Sequence, residues 1–319
     1  MAARPAKISR PALYEPVARE RLFALLDDLR AYRVVWVAAP PGAGKTTLVA
    51  SWLEAQQACA IWYQVDPTDQ DPATFFYYLS AAARPVQRKG EPLPLLPSEL
   101  AHDIASFARR YFRALFARLQ STAVIVLDNL HEVSQDSPLY FALAKAAEET
   151  PHGAQLILIS RRRPPDAFVR LKANKVLRTV RVEELKFTLA ETKMLAHGVG
   201  GLSAHEVQEL HQLCEGWPAG LSLLIERKRR GEPLAAFANS HSLQDVFNYF
   251  ATEIIEHFSV SERDTLLKLA GLPYVTPEIA VEASGDQNAG RLIDYLYHHN
   301  LFLDRRVPTL VRSSRWFCS

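Results

Sequence analysis

Over the first 187 positions, short apolar runs alternate with helically spaced apolar stripes. Arg33-Val-Val-Trp-Val-Ala-Ala39, Ala60-Ile-Trp-Tyr-Gln-Val65, Ala123-Val-Ile-Val-Leu-Asp128 and Gln155-Leu-Ile-Leu-Ile-Ser160 read as strands, with a fifth over 175–182. The unbroken apolar stretches at 34–38, 123–127 and 156–159 suit strands covered on both faces. Between them, 3–4 spacing predicts helices over Val17–Arg30, Thr46–Glu54, Thr74–Ala83, Glu99–Gln120 and Leu139–Glu149. The first of these stripes is Leu22, Leu25, Leu26 and Leu29, and the longest is Ile104, Phe107, Tyr111, Leu115 and Leu119. The N-terminal residues read as an extended arm broken by Pro5, Pro11 and Pro16, and four prolines from Pro85 to Pro97 mark an irregular connection. Strands alternating with helices predict an α/β domain, a parallel sheet with helices on both faces.

After about residue 188 the strand signals nearly vanish and the pattern is helical, with Leu243, Val246, Phe247, Phe250, Ile254 and Phe258 at 3–4 spacing. The expected division is 1–187, 188–258 and 259–319. No internal repeat of solenoid type is visible.

Composition narrows this only slightly. The 319 residues carry 37 Lys plus Arg against 35 Asp plus Glu, a net charge of +2 that leaves no strong footprint for nucleic acid or an anionic membrane. Cys59, Cys214 and Cys318 are too scattered for a disulfide framework or a zinc site, and read as two buried thiols and one in the tail. No apolar stretch approaches the ~20 residues of a membrane span, and the N-terminus lacks a secretory core. The expected location is the cytoplasm.

The candidate chemistry starts at the first strand's end. Ala39-Pro40-Pro41-Gly42-Ala43-Gly44-Lys45-Thr46-Thr47 is a P-loop, with Ala39 where the motif usually has its first Gly. Gly42 and Gly44 let the backbone curl so that amides face phosphate oxygens, and the following helix adds the positive end of its dipole. Lys45 is placed to reach the β and γ phosphates of ATP or ADP, and the Thr46 hydroxyl to ligate Mg²⁺. Val124-Ile-Val-Leu-Asp128 then sets a carboxylate at a strand's carboxyl end, where it can hold the Mg²⁺ shell. Asn129 follows, where many P-loop ATPases have a second acid to polarise water; an amide cannot accept that proton, so hydrolysis is expected to be slow or absent. Glu132 and His131 are the nearby substitutes, though His131 reads better as a packing residue. Arg161, at the end of the fourth strand, reads equally as a γ-phosphate sensor or as part of a solvated run, Arg161-Arg-Arg163. Arg227-Lys-Arg-Arg230 before Gly231 reads as a helix C-terminus, cations facing the dipole.

Seven segments occur in order: Lys7-Ile-Ser-Arg-Pro11, Val17-Ala-Arg-Glu-Arg-Leu22, the P-loop, Trp62-Tyr-Gln-Val-Asp66 with Asp71-Pro-Ala73, Leu127-Asp-Asn-Leu-His131, Ile159-Ser-Arg161 and Glu215-Gly-Trp-Pro-Ala-Gly-Leu221. This set resembles the N-terminal half of the large LuxR-type, ATP-dependent transcriptional regulators of the maltose-regulon-activator kind, which are signal-transduction ATPases with numerous domains. The resemblance covers essentially the whole chain. It implies a P-loop domain, a small helical domain and a winged-helix domain. It further implies that Pro218 packs near the nucleotide, that Arg161 is the sensor arginine, and that Arg19 lies where the family closes over the base. ADP would keep the module closed and monomeric, and ATP with an inducer would open it for self-association.

Two departures stand out: Asn129 replaces the second acid, and the chain stops at Trp316-Phe-Cys-Ser319 within the expected winged-helix strands, without the family's His-containing continuation. The expectation is a truncated, frameshifted or degenerate copy, in which DNA would be reached only through a missing C-terminal effector and the inducer has no identifiable site. The competing reading is a DNA-binding P-loop ATPase of replication-initiator type, using the winged helix itself. From Ser261 onward, seven Lys or Arg balance seven Asp or Glu, which favours protein contact over groove reading. A metabolic kinase fits poorly, because the helical second half offers no evident substrate site.

Overall fold

The computed structural model describes residues 5–13, 16–88, 92–97, 103–197, 202–229, 258–270, 272, 275–298, 303–307 and 310–313. These group into two compact units, Met1–Ala39 with Gly44–Leu185, and Pro40–Ala43 with Lys186–Ser319. The P-loop residues Pro40–Ala43 thus cluster with the second unit.

The first unit is built on five strands: β1 (Val34–Ala38), β2 (Ala60–Gln64), β3 (Val124–Asp128), β4 (Gln155–Ser160) and β5 (Leu177–Val180). All pair in parallel, in the order β2-β3-β4-β1-β5. The order follows from patterning. β1, β3 and β4, the apolar runs, are buried at every position and lie inside; β2 and β5 expose polar residues and lie at the edges. The connecting helices are α1 (Glu20–Asp28), α2 (Lys45–Ala55), α3 (Pro72–Ala83), α4 (Ile104–Phe116), α5 (Pro138–Glu149), α6 (Val169–Ala173) and α7 (Val182–Leu185).

The helix ends are set by caps that periodicity does not register. Asp71 and Asp103 accept amides at the starts of α3 and α4, so α3 begins at Pro72 and α4 at Ile104 rather than at 99. The first helix starts at Glu20, not Val17, because Arg19 takes a non-helical conformation as its N-cap. Ile104, Phe107, Tyr111, Leu115 and Leu119 are all buried, as their spacing required.

In the second unit, α8 (Leu189–His197), α9 (Ala204–Cys214) and α10 (Pro218–Arg229) share a small core containing Val207, Leu210, Leu221 and Leu224. Helices α11 (Val260–Ala270), α12 (Pro277–Ser284) and α13 (Ala289–His298) form another around Leu266, Leu269, Ala280 and Ile293. Strands β6 (Leu303–Val307) and β7 (Leu310–Ser313) follow as an antiparallel pair. Three helices and a hairpin make the winged helix. The stripe from Leu243 to Ile254, Gly231 and Cys318 lie outside the described residues. Cys214 is buried, and desolvation pushes its thiol up to about 12. Cys59 is only half-buried, which corrects the expectation of a second buried thiol: it lies at the approach to edge strand β2. Among the described residues no helix is long and apolar enough to cross a membrane.

Candidate nucleotide site

Strand order decides which residues converge. β1 ends at the P-loop and β3 at Asp128, with β4 between them, so the carboxyl ends of three neighbouring parallel strands meet on one edge. Such an edge, where connections leave in opposite directions, is where open α/β sheets bind ligands.

The loop is shaped as its glycines require. Gly42 and Gly44 have φ of 72° and 75°, the left-handed region that side chains disfavour. The Ala39 amide continues the β1–β4 pairing by donating to the Ser160 carbonyl at 3.3 Å. Helix α2 begins at once with Lys45, and its N-cap, Gly44, has no side chain with which to cap the first turn. Lys45 is nearly buried, and its Nζ donates to the Ala39 carbonyl at 2.7 Å, spanning the loop. Thr46 Oγ1 donates to Asp128 Oδ2 at 2.9 Å and lies 3.2 Å from Oδ1. A hydroxyl beside a carboxylate, next to a helix N-terminus and an ammonium, is the donor set that Mg²⁺ and a polyphosphate take. The residues therefore fit the group. Lys45, Thr46 and the amides of the loop would hold the phosphates, with Thr46 and Asp128 at the metal, which would neutralise charge on the phosphate oxygens.

Asp128 is 2 % exposed. Burial raises its pKa above the usual carboxylate range, against the opposing pull of the Thr46 hydroxyl, the Asn129 amide at 2.9 Å and the Lys45 charge. Its carboxylate is thus held at a cost in the metal-free protein. A folded pKa above the unfolded one means the native state binds more protons between the two values, so stability falls as pH rises through that window. Asp128→Asn is expected to raise the thermal midpoint of metal-free protein at neutral pH while abolishing the Mg²⁺ dependence of nucleotide binding. Thermal melts with and without Mg²⁺ check both, and a lower metal-free midpoint would count against a strained carboxylate.

Asn129 lies at φ 61°, ψ 34°, the left-handed conformation that Asn tolerates better than most residues. The backbone thus has its own reason for an amide side chain here. His131 Nε2 lies 3.3 Å from Glu132 Oε1, so the two candidate substitutes face each other. Arg161 is the first residue beyond β4, immediately after the Ser160 that pairs with Ala38. Arg19 is nearly buried, and its Nη1 donates to the Leu185 carbonyl at 2.8 Å, tying the start of α1 to the end of α7.

In the second unit, Pro218 is the buried first residue of α10, a position that needs no amide proton. The next residue, Ala219, donates its amide to the Gly42 carbonyl at 3.1 Å. This bond was invisible to side-chain reasoning because both partners are backbone. The glycines of the same stretch have steric reasons. A Cβ on Gly216 would lie 2.4 Å from the Phe187 carbonyl, and one on Gly220 would lie 2.8 Å from the Trp217 ring.

Fold and site together define a P-loop nucleotide-binding domain of AAA type joined to a helical region and a winged helix. Residues 29–163 match the AAA domain family, and residues 251–318 match the MalT winged helix domain. The chain is similar to the N-terminal third of MalT-type regulators. It is 30% identical to the HTH-type transcriptional regulator MalT of Serratia proteamaculans and 27% identical to that of Yersinia enterocolitica, in each case over 98% of this chain. It spans 35% of the length of those relatives. Among solved structures, a Walker-type ATPase of Pyrococcus abyssi shares the fold, with a TM-score of 0.62 at 15% identity, over 94% of this chain and 93% of that one.

Proposed function

We propose that this chain is the nucleotide-gated regulatory switch of a MalT-type transcriptional regulator. It divides into a P-loop domain (1–187), a small helical domain (188–258) and a winged helix (259–319). ATP or ADP binds at Ala39–Thr47 with Mg²⁺ on Thr46 and Asp128; Arg161 reads the γ-phosphate, and Arg19 closes over the base. The ADP form is closed and monomeric, and the ATP form self-associates. DNA is reached through parts of the regulator beyond this third.

The observation that carries a switch rather than a metabolic enzyme is the Ala219–Gly42 hydrogen bond. It links the helix headed by Pro218 to the backbone of the phosphate loop, so a change in that loop on binding a γ-phosphate has a direct mechanical recipient. MalT kinship favours the same reading over an initiator. The test is size-exclusion chromatography with light scattering in Mg-ADP and in Mg-ATP: a larger species only in ATP supports the switch, and identical profiles overturn self-association. Retention of duplex DNA by this chain, weakening steeply with salt, would favour the initiator instead.

Slow turnover is part of the proposal. Asn129→Asp, which keeps a side chain tolerated at positive φ, supplies the missing acceptor. It is expected to raise ATP hydrolysis by about 10²-fold, the lower end of what a positioned general base contributes. Phosphate release measured under saturating ATP checks this, and an unchanged rate would place the defect elsewhere.

A further inference from the structure

Arg162 is neither a sensor by position nor a freely solvated member of a basic run. Its amide donates to Ser160 Oγ at 3.0 Å, its carbonyl accepts from the Trp36 indole Nε1 at 2.9 Å, and its Nη1 donates to the Val133 carbonyl at 3.1 Å. These bonds join three strand ends. Trp36 belongs to β1, three residues before the P-loop; Ser160 closes β4; Val133 lies five residues past Asp128. Because β3, β4 and β1 are neighbours in the sheet, one residue links all three, through its backbone to Trp36 and Ser160 and through its side chain to Val133.

We propose that Arg162, held by the Trp36 indole, is a positioning residue that fixes Arg161 for telling ATP from ADP. The inference rests on Arg161 being the γ-phosphate sensor. Arg161 is bracketed on both sides: the Ser160 carbonyl accepts from the first P-loop residue, Ala39, and Arg162 is bonded at its amide, carbonyl and guanidinium. The partners are themselves buried. Trp36 is fully buried, edge-on to Phe168 at 5.1 Å and tilted over Tyr140 at 6.4 Å between ring centroids. Tyr140 in turn donates its hydroxyl to the Leu130 carbonyl at 2.5 Å, pinning the loop that follows Asp128 at a second point. The sensor's backbone is thereby referenced to the phosphate loop and to the metal aspartate at once. A shift of about 1 Å in such a group is enough to lose its contribution. Arginine suits the place, because a cationic N–H on a rigid planar fork holds a carbonyl in one direction where a lysine would swivel.

The experiment measures Mg-ATP and Mg-ADP affinities of the full chain by calorimetry for wild type, Arg161→Ala, Arg162→Ala and Trp36→Phe, the last keeping an aromatic ring but removing the indole donor. The inference expects Arg162→Ala and Trp36→Phe to weaken ATP against ADP by roughly three- to tenfold, the worth of a single hydrogen bond, while ADP affinity stays within about twofold. A merely structural role would weaken both nucleotides together, and that outcome overturns it. If Arg161→Ala erases the preference while the other two variants retain it, the sensor reading stands and the positioning role falls. If Arg161→Ala leaves the preference intact, or wild type shows none, the sensor reading falls and takes this inference with it. Should Arg162→Ala fail to fold, Trp36→Phe decides alone.

Discussion

Replacing Lys45 by Ala is expected to lower affinity for ATP and ADP by on the order of 10²–10³-fold, as befits the loss of the nearly buried ammonium proposed to meet the phosphates. The fold should survive. In the structure Lys45 makes a 2.7 Å bond to the Ala39 carbonyl, so truncation removes that bond and also the charge that favours the buried Asp128 carboxylate, which can take up a proton instead. Titration of a fluorescent nucleotide, alongside a thermal melt, separates the two effects. Near-normal binding by a folded Lys45→Ala protein would remove the P-loop from the argument, and with it the proposed switch.

The second large effect concerns stability and lies far from the P-loop in sequence. Gly216→Ala is expected to cost about 2–4 kcal/mol, combining a side chain in left-handed backbone with loss of a hydrogen bond. Gly216 has φ 74°, its would-be Cβ lies 2.4 Å from the Phe187 carbonyl, and its own carbonyl accepts from the Phe187 amide at 2.7 Å. Gly285 is the natural control: it has the same φ of 74°, with nothing within 4 Å of a Cβ, so Gly285→Ala should cost only about 1 kcal/mol. Denaturant unfolding of both variants reads the difference directly. Equal costs would mean that Phe187 yields freely, and that the Gly-Trp-Pro stretch is not rigidly seated. Gly216→Ala should also disturb the Ala219–Gly42 bond, because Ala219 follows three residues on.

Much of the first unit was legible because burial on both faces leaves a plain mark. β1, β3 and β4 appear as unbroken apolar runs, and the stripe from Ile104 to Leu119 is buried throughout. The P-loop was legible for a different reason: its geometry demands glycine at particular places, and Gly42 and Gly44 occupy the left-handed region. Boundaries were less so. Helix α1 begins at Glu20, three residues later than periodicity suggests, because capping is a local conformational choice that hydrophobicity does not report. Asn129 looked like a simple loss of an acid; its positive φ supplies an independent backbone reason for the residue.

By itself the sequence determined which residues could carry the chemistry: an ammonium at 45, a hydroxyl at 46, a carboxylate at 128 and an arginine at 161, each at the end of an element whose pattern was plain. Only the tertiary structure decided how the first three meet. Strand order places β4 between β1 and β3, so that Thr46 and Asp128, 82 positions apart, come within hydrogen-bond distance. The Arg162 clasp and the Ala219–Gly42 bond were likewise beyond sequence, since each depends on backbone carbonyls, which every residue possesses and no residue type announces.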